Sequence, residues 1–547
     1  MSVHPADEAA QDARIDFRIP FAVRLGVVGH FASPGEEHVR AGVRTVLHRL
    51  DEILRRTPHS FTVVSSCIDE AFEPVVEEIL AESVEMHRQQ SRYTAVLSVS
   101  PAECIAQLET DRERECLTRL LNRAASVDVF EGQKEVPAPH EEIGKHIINS
   151  CDVLLAVWDG VNSPEPGGTA RLVRYARTIG RTLFWIHSVT GNVVEERHGD
   201  GILESFEDLN AYNSEKVADA QMARALAERE RWLAGKMQIS GLPAELVKPL
   251  ARTMLPDYTR ARLLSARYQK RYMRAGTAVY ALAALAVATV TTQTLFFPEY
   301  PWLLWFEVAE ISIILLLLMA SRIGEWHRKW IDYRFLTERI RAGFFMSILC
   351  VRCEKPATPR HLSLSHRSND WMLLAFEGIL DRRPLEYCSI QIPFEPLKTF
   401  LLAAWIDNRL ACFMRHSERN RQRYIIISEI GEILFAVTLV AAAIHAAGLH
   451  PPSAVPVLDH PYSLVAITII LPALGAALAG IRVQREYLRN AERYAHMVQH
   501  LSTISSQIKR AETRVELDAL LKEANEVTLR EQQDWRIIFL FRDLETP

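Results

Sequence analysis

The sequence predicts a protein in two parts: an N-terminal α/β domain built on a parallel sheet, and an all-α region that crosses a bilayer four times. Three observations carry the prediction. Short β-branched runs alternate with helical patterns from about residue 20 to about residue 190. Four later stretches are apolar and nearly long enough to span a hydrocarbon core. Lys and Arg crowd one flank of each of those stretches and are missing from the other. With 547 residues the chain is long enough for several cores, and its 48% hydrophobic content is unevenly distributed. A formal net charge of -5 gives no general attraction to nucleic acid, and the basic runs adjoin the spans instead of forming a basic aromatic surface.

The N-terminus, MSVHPADEAAQDARID, is polar and acidic and lacks the apolar core of a signal peptide. Residues 1–19 read as a flexible tail, and 20–195 as the α/β domain. Its strand candidates are AVRLGVV, FTVVSS, YTAVLSV, SVDVF, DVLLAVW and RTLFWI. Helical spacing fills the gaps, as in HVRAGVRTVLHRLDEILRR and PAECIAQLETDRERECLTRLLNRAA. That order gives a Rossmann-like parallel sheet with helices on both faces. In such sheets ligands bind beyond the carboxyl ends of the strands, where the strand order switches.

Three strand ends therefore hold the candidate ligand-binding residues. The first strand runs into Gly26, Gly29 and His30, where glycine allows close backbone approach. The second ends at Ser65 and Ser66. The fifth ends at Trp158, Asp159 and Gly160, an aromatic for stacking and a carboxylate for a ribose hydroxyl. Gly167, Gly168 and Thr169 follow, at the start of the helix ARLVRYAR, where free N–H groups and a hydroxyl suit a phosphate. Each has a structural reading beside the functional one. Thr169 serves equally as a helix cap, Trp158 as a core residue and His30 as a structural hydrogen-bonding group.

Residues 196–274 form a helical cytoplasmic linker. The first hairpin occupies 275–321, with spans near Ala275–Phe297 and Trp302–Ala320 joined by FPEYP. A cytoplasmic helical region covers 322–424. The second hairpin occupies 425–482, with spans near Ile425–Ala447 and Leu464–Ile481, and 483–547 is a cytoplasmic helical tail. Neither connecting loop contains Lys or Arg, whereas RARLLSARYQKRYMR, RIGEWHRKWIDYR, RHSERNRQRY and RVQREYLRNAER flank the opposite ends. The positive-inside rule then puts both termini in the cytoplasm of an inner-membrane protein. RYQKRY and DYRFLTER around the first hairpin are echoed by RNRQRY and EYLRNAER around the second, at an offset of about 150 residues, which reads as a duplication. The tail is amphipathic and is expected to pack on the cytoplasmic side or to pair with a second copy in a homo-oligomer.

Glu307, Glu310, Glu429 and Glu432 fall within the apolar spans. Intramembrane carboxylates call for a reason, and pore lining and structural pairing are both open. In the fourth span Gly475 with Ala479, and Ala476 with Gly480, permit close helix contact, and Pro472 invites a kink. Of the 8 cysteines, Cys350 and Cys353 form a CVRC pair with no second pair at zinc-site spacing, so no metal site is assigned. No Walker A lysine, HExxH motif, kinase signature or nucleophile elbow is present.

The segments LGVVGHF, VVSS, YTAVLSVSP, SCDVLLAVWDG and EPGGTARLVRYAR together resemble the SLOG superfamily, the Rossmann-like nucleotide-sensing domains related to DprA and the LOG phosphoribohydrolases. The resemblance implies a nucleotide-derived ligand of NAD or ADP-ribose type. Two departures qualify it. The enzymatic branch carries PGGxGTxxE, whereas here Thr169 follows Gly168 directly and Leu172 and Val173 stand where the glutamate would be, which argues against hydrolysis. Cys67-Ile68-Asp69-Glu70 replaces a glycine-containing turn after the second strand. The membrane half is similar to SLATT-type modules, on RYQKRY, WIDYRFLTERIR and EQQDWRIIFLFRDLE. That likeness implies a sensor that perturbs the membrane, often in bacterial defence. A membrane-anchored LOG-type hydrolase using Glu36, Glu37 or Asp159, and a transporter or scaffold with a docking domain, are the alternatives.

Overall fold

A computed structural model describes residues 17–29, 35–66, 72–87, 91–108, 110–129, 139–161, 168–197, 201–349, 370–384, 392–448 and 462–540. His30, Gly167, Cys67, Cys350, Cys353 and Cys388 lie outside them. The chain divides into two compact units: residues 1–216 with 354–383, and residues 217–353 with 384–547.

The first unit is the expected α/β layer structure. Its strands are β1 (Phe21–Gly29), β2 (His59–Ser66), β3 (Arg92–Leu97), β4 (Ser126–Val129), β5 (Val153–Trp158), β6 (Leu183–His187) and β7 (Val193–Glu196). They form one sheet in the order β4-β3-β2-β1-β5-β6-β7. All neighbours are parallel except β6 and β7, which close one edge as an antiparallel pair. The helices are α1 (Glu36–Leu54), α2 (Glu73–His87), α3 (Pro101–Gln107), α4 (Asp111–Arg123), α5 (Pro139–Ser150), α6 (Thr169–Thr178) and α7 (Ile202–Ser214).

The faces follow from the pleat. Val28, Val64, Val96, Leu154 and Ala156 form one core with Ile143, Ile147 and Ile148 of α5 and Val173 of α6. On the opposite face, α1 lies so close that a Cβ on Gly42 would be 2.7 Å from the Ile186 side chain. The central strands are buried on both sides, which is why β5 reads VLLAVW without alternation. α3 and α4 each begin with a full capping box, Ser100 with Glu103 and Thr110 with Glu113.

At the amino ends of the central strands, Arg24 Nη2 lies 2.7 Å from Asp152 Oδ1, and the Arg24 backbone N–H also donates to Asp152 Oδ2 at 2.9 Å. This ties β1 to the start of β5, and Glu377 approaches the same guanidinium at 3.8 Å. Glu377 belongs to α12 (Trp371–Asp381), which therefore packs in the α/β unit. Trp371 lies 5.3 Å from the ring of Tyr212, and Gly378 is so close to β1 that a Cβ there would be 2.2 Å from the Pro20 carbonyl. The segment read as a single helical region over 322–424 is thus shared between the two units.

The second unit is all helical: α8 (Asp219–Ser240), α9 (Ala244–Phe296), α10 (Leu304–Ile323), α11 (Trp326–Ile348), α13 (Phe394–Leu401), α14 (Asp407–Ala446), α15 (Ser463–Arg485), α16 (Tyr487–Arg510) and α17 (Arg514–Leu540). Four of its helices are long and apolar enough to cross a membrane, and each contains one of the spans expected from the sequence. They bury little against one another: Leu316, Ile433 and Leu439 are 58%, 61% and 72% exposed, as side chains facing lipid would be. The helices run on well beyond the spans. α9 is continuous for 53 residues through Pro249 and Pro256.

Glycines set the close contacts inside the bundle. A Cβ on Gly475 would be 3.0 Å from Phe435 of α14, and one on Gly480 would be 2.4 Å from Tyr280 of α9, so the small residues of α15 serve two neighbours. Both hairpins leave their second span at a glutamate with left-handed backbone, Glu325 at φ 48° and Glu486 at φ 47°. Each pairs with the arginine three residues on, Arg328 at 3.3 Å and Arg489 at 3.2 Å. The C-terminal amphipathic helix α17 packs within the chain, on α11 and α16, burying Leu517, Leu521 and Ala524.

Candidate functional site

The strand order places the topological switch between β1 and β5. β1 leads through α1 to β2 on one side, and β5 leads through α6 to β6 on the other. The two connections diverge, and in open parallel sheets the carboxyl ends of such strands are where a ligand crevice is expected. Gly29, Trp158, Asp159, Gly160, Gly168 and Thr169 all belong to the segments that leave the sheet there.

Two of the glycines are there by backbone necessity. Gly29 has φ +144°, and a Cβ on it would sit 1.9 Å from the Val157 carbonyl oxygen. Gly160 has φ +84°. Between them the strand end is held by its own hydrogen bonds. Asp159 Oδ1 accepts the Val161 N–H at 2.9 Å, closing a tight side-chain turn around Gly160. The Trp158 carbonyl accepts from Trp185 Nε1 at 2.9 Å and from the Ser188 N–H at 3.1 Å, clamping the ends of β5 and β6 together.

The Trp158 side chain turns into the core. It is 6% exposed, packs 6.0 Å from Trp185 and donates its Nε1 proton to the Val161 carbonyl at 3.1 Å. Ser65 is fully buried, with its hydroxyl bonded to Tyr93 at 3.2 Å, whereas Ser66 is half-buried at the end of β2. At Gly26 the missing side chain makes room for protein: a Cβ there would lie 2.8 Å from Cys151, just after α5, and 3.2 Å from Ile147 of α5. The strand ends thus bring Gly29, Asp159, Gly160 and Gly168 to this end of the sheet, with Ser66 on the next strand and Thr169 buried at 7% exposure. Trp158, Ser65 and Gly26 go to packing.

Two helices start at this end of the sheet, and their electrostatics differ. α1 follows Gly35 with Glu36 and Glu37 in its first turn, and these carboxylates pair with Arg40 at 3.1 Å and Arg44 at 3.2 Å. The positive end of α1 is therefore already answered by acids. α6 follows Gly168, has no acid in its first turn and no side chain capping it. Gly168 is extended, at φ -65° and ψ 152°, with its carbonyl accepting from Arg171 and Leu172. An anion is accordingly better placed at α6 than at α1. Leu172 and Val173 of this helix are buried, 7% and 1% exposed, so no acid faces the crevice from those positions.

Sequence reasoning missed the contribution of the β6 end. His187 Nδ1 accepts the N–H groups of Val189 and Thr190 at 3.2 and 3.3 Å, which orders the turn beside the crevice. Gly35 abuts that turn, since a Cβ on it would lie 2.2 Å from the Ser188 carbonyl. The dipeptide Pro34-Gly35 before a helical run was the available signal. Among the described residues no cluster of His, Cys, Asp and Glu is arranged to hold a metal.

Within the spans, Glu310 accepts a hydrogen bond from Thr289 Oγ1 across the first hairpin at 3.1 Å. Glu307 is half-buried, and Glu429 and Glu432 are exposed on the outer face of α14. Against known proteins, no family model matches the chain, and no curated protein matches it either.

Proposed function

We propose that this protein is a membrane-embedded sensor whose α/β unit binds a phosphate-bearing, nucleotide-derived ligand in the crevice between β1 and β5. The observation that supports it most is the pairing of a topological switch with an acid-free, uncapped helix start at Gly168. Phosphate would lie against the first N–H groups of α6, with Gly29 and Gly160 letting it approach the backbone. Asp159 stands at the adjoining turn, within reach of a ribose hydroxyl. NAD and ADP-ribose are the ligand types that the family resemblance favours.

The response would be carried by the helical unit, with the Lys- and Arg-rich flanks on the cytoplasmic side. The chain passes between the two units three times, near residues 216, 353 and 383, so a rearrangement of the α/β unit is tied covalently to α8, α11 and α13. Binding shifts the bundle only if the ligand prefers one of its states. Exposed Glu429 and Glu432 on α14 favour a homo-oligomer in which copies shelter these carboxylates from lipid. The two left-handed glutamates at matching span exits, Glu325 and Glu486, favour the reading of two duplicated hairpins. A role in bacterial defence rests on the family resemblance.

The test is thermal-shift binding by the full-length protein in detergent, against NAD, ADP-ribose, cyclic ADP-ribose isomers, AMP and cyclic dinucleotides. Stabilisation by one ligand, lost in Asp159→Ala and Gly168→Asp, is the expected result. A folded protein that responds to none of them would leave a docking role for the α/β unit as the better reading.

A further inference from the structure

The helical unit contains a second site, independent of the crevice. On the basic flank of the spans, α8, α9, α11, α14 and α16 surround a cavity of about 580 Å3. That volume is in the range of small-molecule sites, roughly 300–1,000 Å3. Its wall carries Arg229, Arg262, Arg334, Arg341, Arg409 and Arg415, and His416 joins them. Among the described residues of the wall, Glu338 is the one carboxylate set against these six arginines.

Glu338 is already committed. It pairs with Arg341, and with Arg409 at 2.9 Å. Glu531, behind the wall, is taken by Arg493 at 2.9 Å, and Asp407 by the Ser505 hydroxyl. Arg409 is 7% exposed, and its Nε finds no hydrogen-bond acceptor in the protein. Burial and the neighbouring Arg409 push the Arg341 guanidinium down to about 9, and burial likewise lowers Arg409. Cations in this condition are short of negative charge.

The same field reaches Cys412. A hydrogen bond with His416, with the charges of Arg409 and Arg341, pulls its thiol down to about 7 against the opposing effect of burial. Trp232, Tyr258, Trp330 and Tyr494 add flat apolar faces to the wall. At the join of α13 and α14, a π turn over Leu402–Ile406 brings Ala404 to the wall, a backbone irregularity that is common at functional sites.

From six arginines set against one carboxylate around a cavity of ligand size, we infer that this is a phosphate-anion site, taking a phosphomonoester or pyrophosphate group. Arginine suits that chemistry, since its planar fork donates in pairs to phosphate oxygens. Two sources can supply the group. About 9–14 Å of helix separates Gln269 from Ala275 and His416 from Ile425, the starts of two spans. That places the cavity within reach of soluble anions and close to the headgroup layer.

Cys412 is the built-in reporter. The full-length protein is placed in phosphatidylcholine nanodiscs, and its alkylation by iodoacetamide at pH 7 is followed by peptide mass mapping. Inorganic pyrophosphate, against sodium chloride of equal ionic strength, tests the soluble source. Nanodiscs doped with phosphatidic acid test the lipid source. Either one is expected to slow Cys412 alkylation about tenfold, by covering the thiol and raising its pKa. Arg341→Gln is expected to abolish the protection, and Gly168→Asp to leave it intact, which separates this site from the crevice. Should Arg341→Gln fail to fold, Arg262→Gln at the rim serves instead. A Cys412 that does not alkylate without phosphate overturns the inference. So does a rate unchanged by both sources, or protection that survives loss of the arginine.

Discussion

Replacing Gly168 by aspartate should strengthen the fold and weaken the ligand at once. Gly168 is the residue before α6, already at φ -65° and ψ 152°, a backbone that aspartate adopts without strain. α6 lacks a side-chain cap, and a carboxylate there can accept an N–H group of its first turn. Relative to glycine the cap is worth a few tenths of a kcal/mol, and the charge at the helix start adds about 0.3–1 kcal/mol. For a unit of this size the gain corresponds to roughly 1–4 °C. A phosphate on the same N–H groups would lie about 4–5 Å from the new carboxylate. Two unit charges at that distance repel by about 1 kcal/mol in water and about 4 kcal/mol at the effective dielectric near a protein surface. Affinity should therefore fall roughly fivefold to a thousandfold. Differential scanning fluorimetry with and without nucleotide reads both effects in one experiment. A variant that is more stable yet binds nucleotide as before would refute phosphate at α6. One that melts lower would refute the description of the cap.

Gly29→Ala should be far more damaging, because a Cβ at φ +144° meets the Val157 carbonyl at 1.9 Å. A loss of at least about 2 kcal/mol, read as increased protease sensitivity of the α/β unit, is expected. The control is Gly235→Ala in α8, where a Cβ meets nothing within 4 Å and helix propensity predicts a gain of up to about 1 kcal/mol. Asp152→Ala removes the partner that receives both the backbone and the guanidinium of Arg24, and chemical denaturation should show a loss of about 2–4 kcal/mol, discounted because Arg24 is partly exposed. The Arg119 guanidinium, bonded to Glu73 at 2.9 Å, holds that carboxyl below its ordinary value. A depressed folded-state pKa gives stability that is present above the unfolded value and is lost as pH falls through the folded one. Glu73→Gln should therefore flatten the acid limb of the stability profile below about pH 4.3, and an unchanged limb would show the pair contributes nothing.

The four membrane-length helices were legible because length and apolar composition are local signals that need no tertiary knowledge. Six of the strands were legible as short β-branched runs; burial accounts for the run in β1, β2 and β5, whereas β4, SVDV, is exposed along its length. β7 was missed, being a four-residue edge strand, VVEE, whose pairing with β6 is decided by the turn at Gly191. Recruitment of α12 to the α/β unit was not legible either. It depends on Trp371 meeting Tyr212 and on Gly378 admitting the Pro20 carbonyl, contacts between residues far apart in sequence.

At the crevice, the glycines after the strands could be picked out, but not what each one approaches. Gly29 approaches a neighbouring strand, Gly26 a helix, and only the structure distinguishes them. The cationic cavity escaped because its arginines are contributed by α8, α9, α11 and α14, each reading alone as an ordinary charged helix face.

The central claim is that nucleotide in the β1/β5 crevice changes the state of the membrane bundle. Dye release from proteoliposomes, with the nucleotide identified by thermal shift added on the side that carries the α/β unit, tests it most directly. Release that depends on nucleotide in the wild type and vanishes in Gly168→Asp, with equal incorporation of both proteins, is the predicted result. Release that is the same with and without nucleotide, or that persists in Gly168→Asp, would contradict it.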